Sequence, residues 1–172
     1  MDQESTIINR VAGSGILTID LETFYPNGER VVYDLKDNLF QGLILKEKDF
    51  RDFLKENDWS RYAGKNVAIT CSTDAIIPAW AYMLLMTKLQ PFAQKVILGS
   101  PEELEKELFA EVLNKIDYTQ YKDAKVVIKG CSDKPVPASA YLQLTNKLLP
   151  YASSIMYGEP CSTVPVYKKA KG

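Results

Sequence analysis

The sequence predicts an α/β protein: a mainly parallel sheet with covering helices, built from an internal duplication and preceded by an N-terminal β-hairpin. Three observations carry this reading. From residue 42 onward, short β-branched runs alternate with longer helical stretches, the pattern of strand-helix-strand crossovers. The phrase "CSTDAIIPAWAY" (Cys71 to Tyr82) returns as "CSDKPVPASAY" (Cys131 to Tyr141). Matched without gaps, Asp74 to Pro101 and Asp133 to Pro160 share twelve identities in 28 positions, which marks a repeat.

The elements follow in order. Residues 15–38 alternate with period two in "GILTIDLETFY" and "RVVYDLK", joined by "PNGE". The Asn-Gly step supplies the positive φ of a tight turn, so this stretch is expected to form a hairpin. "LFQGLIL" is expected to add a strand, and "KEKDFRDFLKEN" places Phe50, Phe53 and Leu54 at helical spacing. Then come strand "KNVAIT", helix "PAWAYMLLMTKLQPFA", strand "KVILG" and helix "SPEELEKELFAEVLNK". Strand "KVVIKG", helix "VPASAYLQLTNKL" and strand "SIMYG" complete the pattern. "DWSRY" (Asp58 to Tyr62) answers "DYTQY" (Asp117 to Tyr121), so the repeat units span residues 42–100 and 101–160 of a single domain covering 1–172.

Composition excludes several function classes. With 172 residues, 46% of them apolar, the chain is long enough to bury one sizeable core. Its 21 basic and 22 acidic residues nearly cancel, so no global field attracts nucleic acid or an anionic membrane. The opening "MDQESTIINR" has no apolar signal region and no stretch is long enough to span a bilayer, so the expectation is a cytoplasmic protein. The sequence contains no histidine, which removes His-dependent triads and mixed Cys/His zinc patterns. No motif reaches the level of an enzyme signature.

The repeated phrase has a structural part. Pro78 and Pro137 fit the start of a helix, where the missing N–H has no intrahelical partner, and a preceding Ser or Asp can cap free donors. The cysteines are harder to absorb. Cys71 and Cys131 each follow a predicted strand at its carboxyl end, and Cys161 follows the last one, which is where open α/β sheets place ligands. Three convergent thiols could hold zinc or an iron–sulfur cluster, with Asp74, Asp133 or Glu159 as a fourth ligand. No Cys-x-x-Cys pair supports the set, and cysteine is also an ordinary small core residue. "VAGSGIL" precedes a strand instead of a helix and reads as an entry segment. "WAYMLLMTKL" is apolar all round and reads as a buried helix or an oligomer contact, while "VPVYKKAKG" reads as a frayed tail.

The stretches "TIDLETFYPNGERVVYDLKDNLFQGLILKEKDFR", "VAITCSTDAIIPAWAYMLL" and "SIMYGEPCSTVPVYKK" resemble a bacterial domain-of-unknown-function family with no assigned activity. The resemblance covers essentially the whole chain. It implies a bacterial cytoplasmic protein and an association with sulfur-mobilising and iron–sulfur assembly genes. Two readings therefore stand: a thiolate site accessory to iron–sulfur assembly, and a non-catalytic interaction scaffold, homodimeric or bound to a protein partner. A third is a small anion or carboxylate held at the paired helix N-termini of residues 72–78 and 132–137.

Overall fold

Every strand predicted between helices is rich in β-branched residues, and in the computed structural model each enters a parallel ladder. The structure describes residues 9–10, 15–130, 133–159 and 161–170. The strands are β1 (Asn9–Arg10), β2 (Ile16–Asp20), β3 (Arg30–Asp34), β4 (Asn66–Thr70), β5 (Lys95–Leu98), β6 (Lys125–Lys129), β7 (Ser154–Glu159) and β8 (Ser162–Lys168). The helices are α1 (Glu47–Glu56), α2 (Ala79–Leu89), α3 (Pro101–Asn114) and α4 (Ala138–Leu148). The chain divides into two compact units, Met1–Pro26 with Lys106–Gly172, and Asn27–Glu105.

The discontinuous unit holds a sheet of order β1-β2-β6-β7-β8, in which β2, β6 and β7 run parallel and the two outer strands run antiparallel to their neighbours. The core gathers Ile19, Val126, Ile128 and Ile155 from the strands with Phe109, Leu113, Ala140, Leu144 and Leu148 from α3 and α4. The continuous unit holds three parallel strands in the order β3-β4-β5. There Tyr33, Val67 and Ile69 pack with Phe50 and Leu54 of α1 and with Ala81, Leu85 and Leu89 of α2. In both α2 and α4 the buried positions recur every fourth residue, which keeps one face on the sheet. The central residues of β4 and β6 are buried in succession, as strands covered on both faces require. The expected α/β class, mainly parallel with covering helices, is therefore borne out. Among the described residues, no helix is long and apolar enough to cross a membrane.

Three sequence expectations need correction. Residues 15–38 contain both expected strands, yet these do not pair with each other. β2 lies against β6 and β3 against β4, and the antiparallel pair at the N-terminus is that of β1 with β2. The Asn-Gly step does adopt a positive φ, 98° at Gly28, but long-range parallel partners outcompete the local hairpin. A side chain at Gly28 would also meet Asn66 Nδ2 at 2.6 Å, so the close approach needs glycine for a second reason. "LFQGLIL" forms a tight turn closed by a single bridge between Phe40 and Ile44 and adds no strand. The tail read as frayed, from Val164, belongs to β8 as far as Lys168, and four of its residues pair with β7 across one register shift.

Candidate functional site

The parallel strands of both units end in loops, and backbone hydrogen bonding decides what those loops can hold. In the continuous unit, β3 ends at Asp34, whose Oδ1 accepts from Lys36 N and from Ser72 N, each at 3.0 Å. Burial is the largest single influence on the Asp34 carboxyl and pushes it up, but the bonds from Ser72 and Lys36 and the Lys36 charge together outweigh it and hold the group below its ordinary value. The same loop is tied again where Thr73 Oγ1 donates to Gly42 O at 3.3 Å. Cys71, half-buried, is a free thiol whose Sγ lies 3.8 Å from Thr73 O. Asp74 is exposed beside it.

The discontinuous unit uses other residues for the same task. Asp20 Oδ1 accepts from Glu22 N at 3.0 Å, and Glu22 Oε1 in turn accepts from Asp133 N at 3.1 Å. Lys129 Nζ lies between two carboxylates, 3.5 Å from Asp20 and 3.6 Å from Glu159. Asp20 first and then Glu159 raise the Lys129 ammonium above its ordinary value, so it stays charged. Tyr141 donates its hydroxyl to Gly130 O and meets Tyr157 edge to face.

These contacts bear directly on the sequence candidates. In the loops considered for an anion, Ser72 N and Asp133 N each donate to one of the protein's own carboxylates. Pro78 and Pro137 are the N-caps of α2 and α4, as the sequence suggests, but neither helix carries a side-chain cap. Glu159, a candidate fourth ligand, is paired with Lys129. Cys161 is exposed in the turn joining β7 to β8, and Cys131 lies outside the described residues, as do residues 11–14 of the glycine-rich segment. Among the described residues, no group of three or more Cys, Asp or Glu side chains is placed to hold a metal ion.

What the sequence reading missed is the turn beside the Cys71 loop. Gln41 and Gly42 both take left-handed backbone, φ 52° and 70°, and Leu43 N closes the turn on Phe40 O at 3.1 Å. Glycine adopts that conformation freely, whereas Gln41 bears about 1–2 kcal/mol of steric cost. The turn projects Phe40, Leu43 and Ile44, 45%, 64% and 61% exposed, and the tethered loop adds Ile76 at 95%. Lys46 Nζ covers the Phe40 ring at 3.2 Å from its centroid. The signal lay in the Gln-Gly dipeptide, which works as Asn-Gly does and interrupts the apparent alternation of "LFQGLIL".

The model of one protein family, described as "Protein of unknown function (DUF2480)", matches residues 5–169. This bears out the family resemblance drawn from the sequence. No curated protein and no solved structure matches the chain.

Proposed function

Since the chain belongs to the DUF2480 family, whose description assigns no activity, we propose its function from geometry: it is a non-catalytic protein-interaction module that docks a partner at the Phe40–Ile44 turn. The observation that carries this reading is the exposure of four large apolar side chains, Phe40, Leu43, Ile44 and Ile76, on two loops tethered to each other. Isolated apolar residues on a surface need no explanation, but a cluster on a built turn does. The turn keeps a left-handed Gln41 that a loop selected only for stability would lose. Asp34, Ser72 and Thr73 hold the loops in place before any partner arrives, which lowers the ordering cost of binding.

The test is photocrosslinking in the source cell, with a benzophenone side chain at position 43 and, as control, at exposed Glu56. A discrete adduct at 43 that disappears in the Ile76→Asp background supports the reading. Equal labelling from both positions, or an adduct indifferent to Ile76→Asp, overturns it.

A further inference from the structure

Asn27-Gly28 is the one Asn-Gly step in the chain, and Gly28 has no side chain to shield its backbone nitrogen. Among the described residues, that nitrogen donates to no acceptor and the Asn27 side-chain amide has no partner, while Asn27 itself is exposed to water. A nucleophile and an electrophile thus stand side by side, both unengaged.

The fold acts on the peptide group that joins them. Asn27 O accepts from Asn66 Nδ2 at 2.8 Å, and Asn66 is fully buried. A donor on that oxygen draws electron density from the Asn27-Gly28 amide, so it stabilises the anion left when Gly28 N loses its proton, and burial strengthens the effect. Gly28 O accepts from Arg30 Nη1 at 2.6 Å, which fixes the next peptide. With φ at 98°, a Cβ on Gly28 would meet Gln94 Oε1 at 2.8 Å and Gly64 O at 3.0 Å. A bulkier residue, which would hinder attack, does not fit there.

We propose that the fold makes Asn27 a self-modification site, with Asn66 as the activating donor. Gly28 N, deprotonated, attacks Asn27 Cγ; the new N–C bond closes a succinimide, and the side-chain nitrogen takes up the proton and leaves as ammonia. Water then adds to either ring carbonyl and breaks its bond to nitrogen, leaving aspartate or isoaspartate at position 27. Nothing is oxidised or reduced. Isoaspartate adds a methylene to the backbone, which the close approach at Gly28 does not accommodate. Asn66 Nδ2 then loses its acceptor, and since Asn66 Oδ1 has no partner among the described residues, both ends of a buried amide stand unpaired. The starts of β3 and β4 should loosen there, where Asn66 N donates to Glu29 O. The chemistry uses no residue of the Phe40–Ile44 turn, so either proposal can fail without the other.

The full-length chain, stored folded in mildly alkaline buffer, is tested by peptide mapping in a mass spectrometer, with isoaspartate labelled by an L-isoaspartyl methyltransferase. Residue 27 should gain the mass difference between an amide and an acid at least as fast as in the guanidinium-unfolded chain, with isoaspartate among the products. Asn66→Ala should slow the folded reaction by about threefold or more and leave the unfolded rate unchanged, as loss of one donor to a developing anion requires. Asn27→Gln, which must close a larger ring, should stay unlabelled. A folded wild type that converts more slowly than the unfolded chain overturns the proposal, and so does a folded Asn66→Ala that converts at the wild-type rate. If Asn66→Ala does not fold, the comparison of folded with unfolded wild type decides.

Discussion

Asp34 places one carboxylate oxygen against two backbone donors, and the bond from Ser72 N joins that of Thr73 to Gly42 in holding the loop that carries Cys71. Because its folded carboxyl is held below the unfolded value, the stabilisation is complete above the ordinary carboxylate range near pH ~4 and disappears as pH falls through the folded value. Asp34→Asn keeps an acceptor oxygen but cannot titrate. Wild type should therefore be the more stable at neutral pH, and the gap should close in acid; urea unfolding of both proteins at several pH values measures it. A gap independent of pH would show that the charge of Asp34 is irrelevant to the loop. The sequence held this residue in plain view: Asp20-Leu21 and Asp34-Leu35 each end a strand and open a 3-10 turn. The cysteines drew the functional reading because sulfur suggests chemistry, while an Asp that caps a turn resembles any other surface acid until its partners are known.

Helix ends show the same contrast one level up. The last carbonyls of a helix have no intrahelical donor, and here an aromatic side chain from the following turn supplies one. Trp59 Nε1 donates to Leu54 O of α1 at 2.9 Å, and Tyr118 OH donates to Leu113 O of α3 at 2.7 Å. Tyr118 is buried, and burial first, then the neighbouring Tyr121 hydroxyl, pushes its phenol up and keeps the proton on the oxygen. Tyr118→Phe preserves the ring and leaves the Leu113 carbonyl unsatisfied, at an expected cost of about 1–2 kcal/mol. Chemical denaturation reads this directly, and a variant as stable as wild type would mean that water reaches the carbonyl. The paired phrases "DWSRY" and "DYTQY" announced these positions, and the helical spacing of Phe50 and Leu54 was equally legible, since both are buried. Strand partners were not legible. A hairpin signal such as "PNGE" is local, whereas the choice between β2 with β3 and β2 with β6 depends on burial that only the assembled sheet provides. β8 was hidden by its lysines, although "TVPVY" alternates and a proline is compatible with an edge strand.

At the scale of the whole molecule, sequence order and spatial grouping diverge. β2 belongs to the unit completed by residues 106–172, while β3, which follows it in the chain, belongs to the unit of residues 27–105. A linear reading of repeats at 42–100 and 101–160 assigns neither strand to a sheet, because nothing in a periodic pattern marks a chain that leaves one sheet and returns to it later. The grouping has a thermodynamic consequence. Each unit has its own sheet and its own cluster of buried residues, so each can unfold as a cooperative block. Both tryptophans, Trp59 and Trp80, pack in the cluster of residues 27–105, so their fluorescence follows that block while far-UV dichroism follows both. Leu21, fully buried in the other cluster, provides a selective perturbation. Leu21→Ala should cost about 2–5 kcal/mol, shifting the dichroism transition to lower urea while the fluorescence transition keeps its midpoint. If the two signals move together, the blocks are coupled more strongly than either core is held together, and the chain unfolds as one body despite its two sheets.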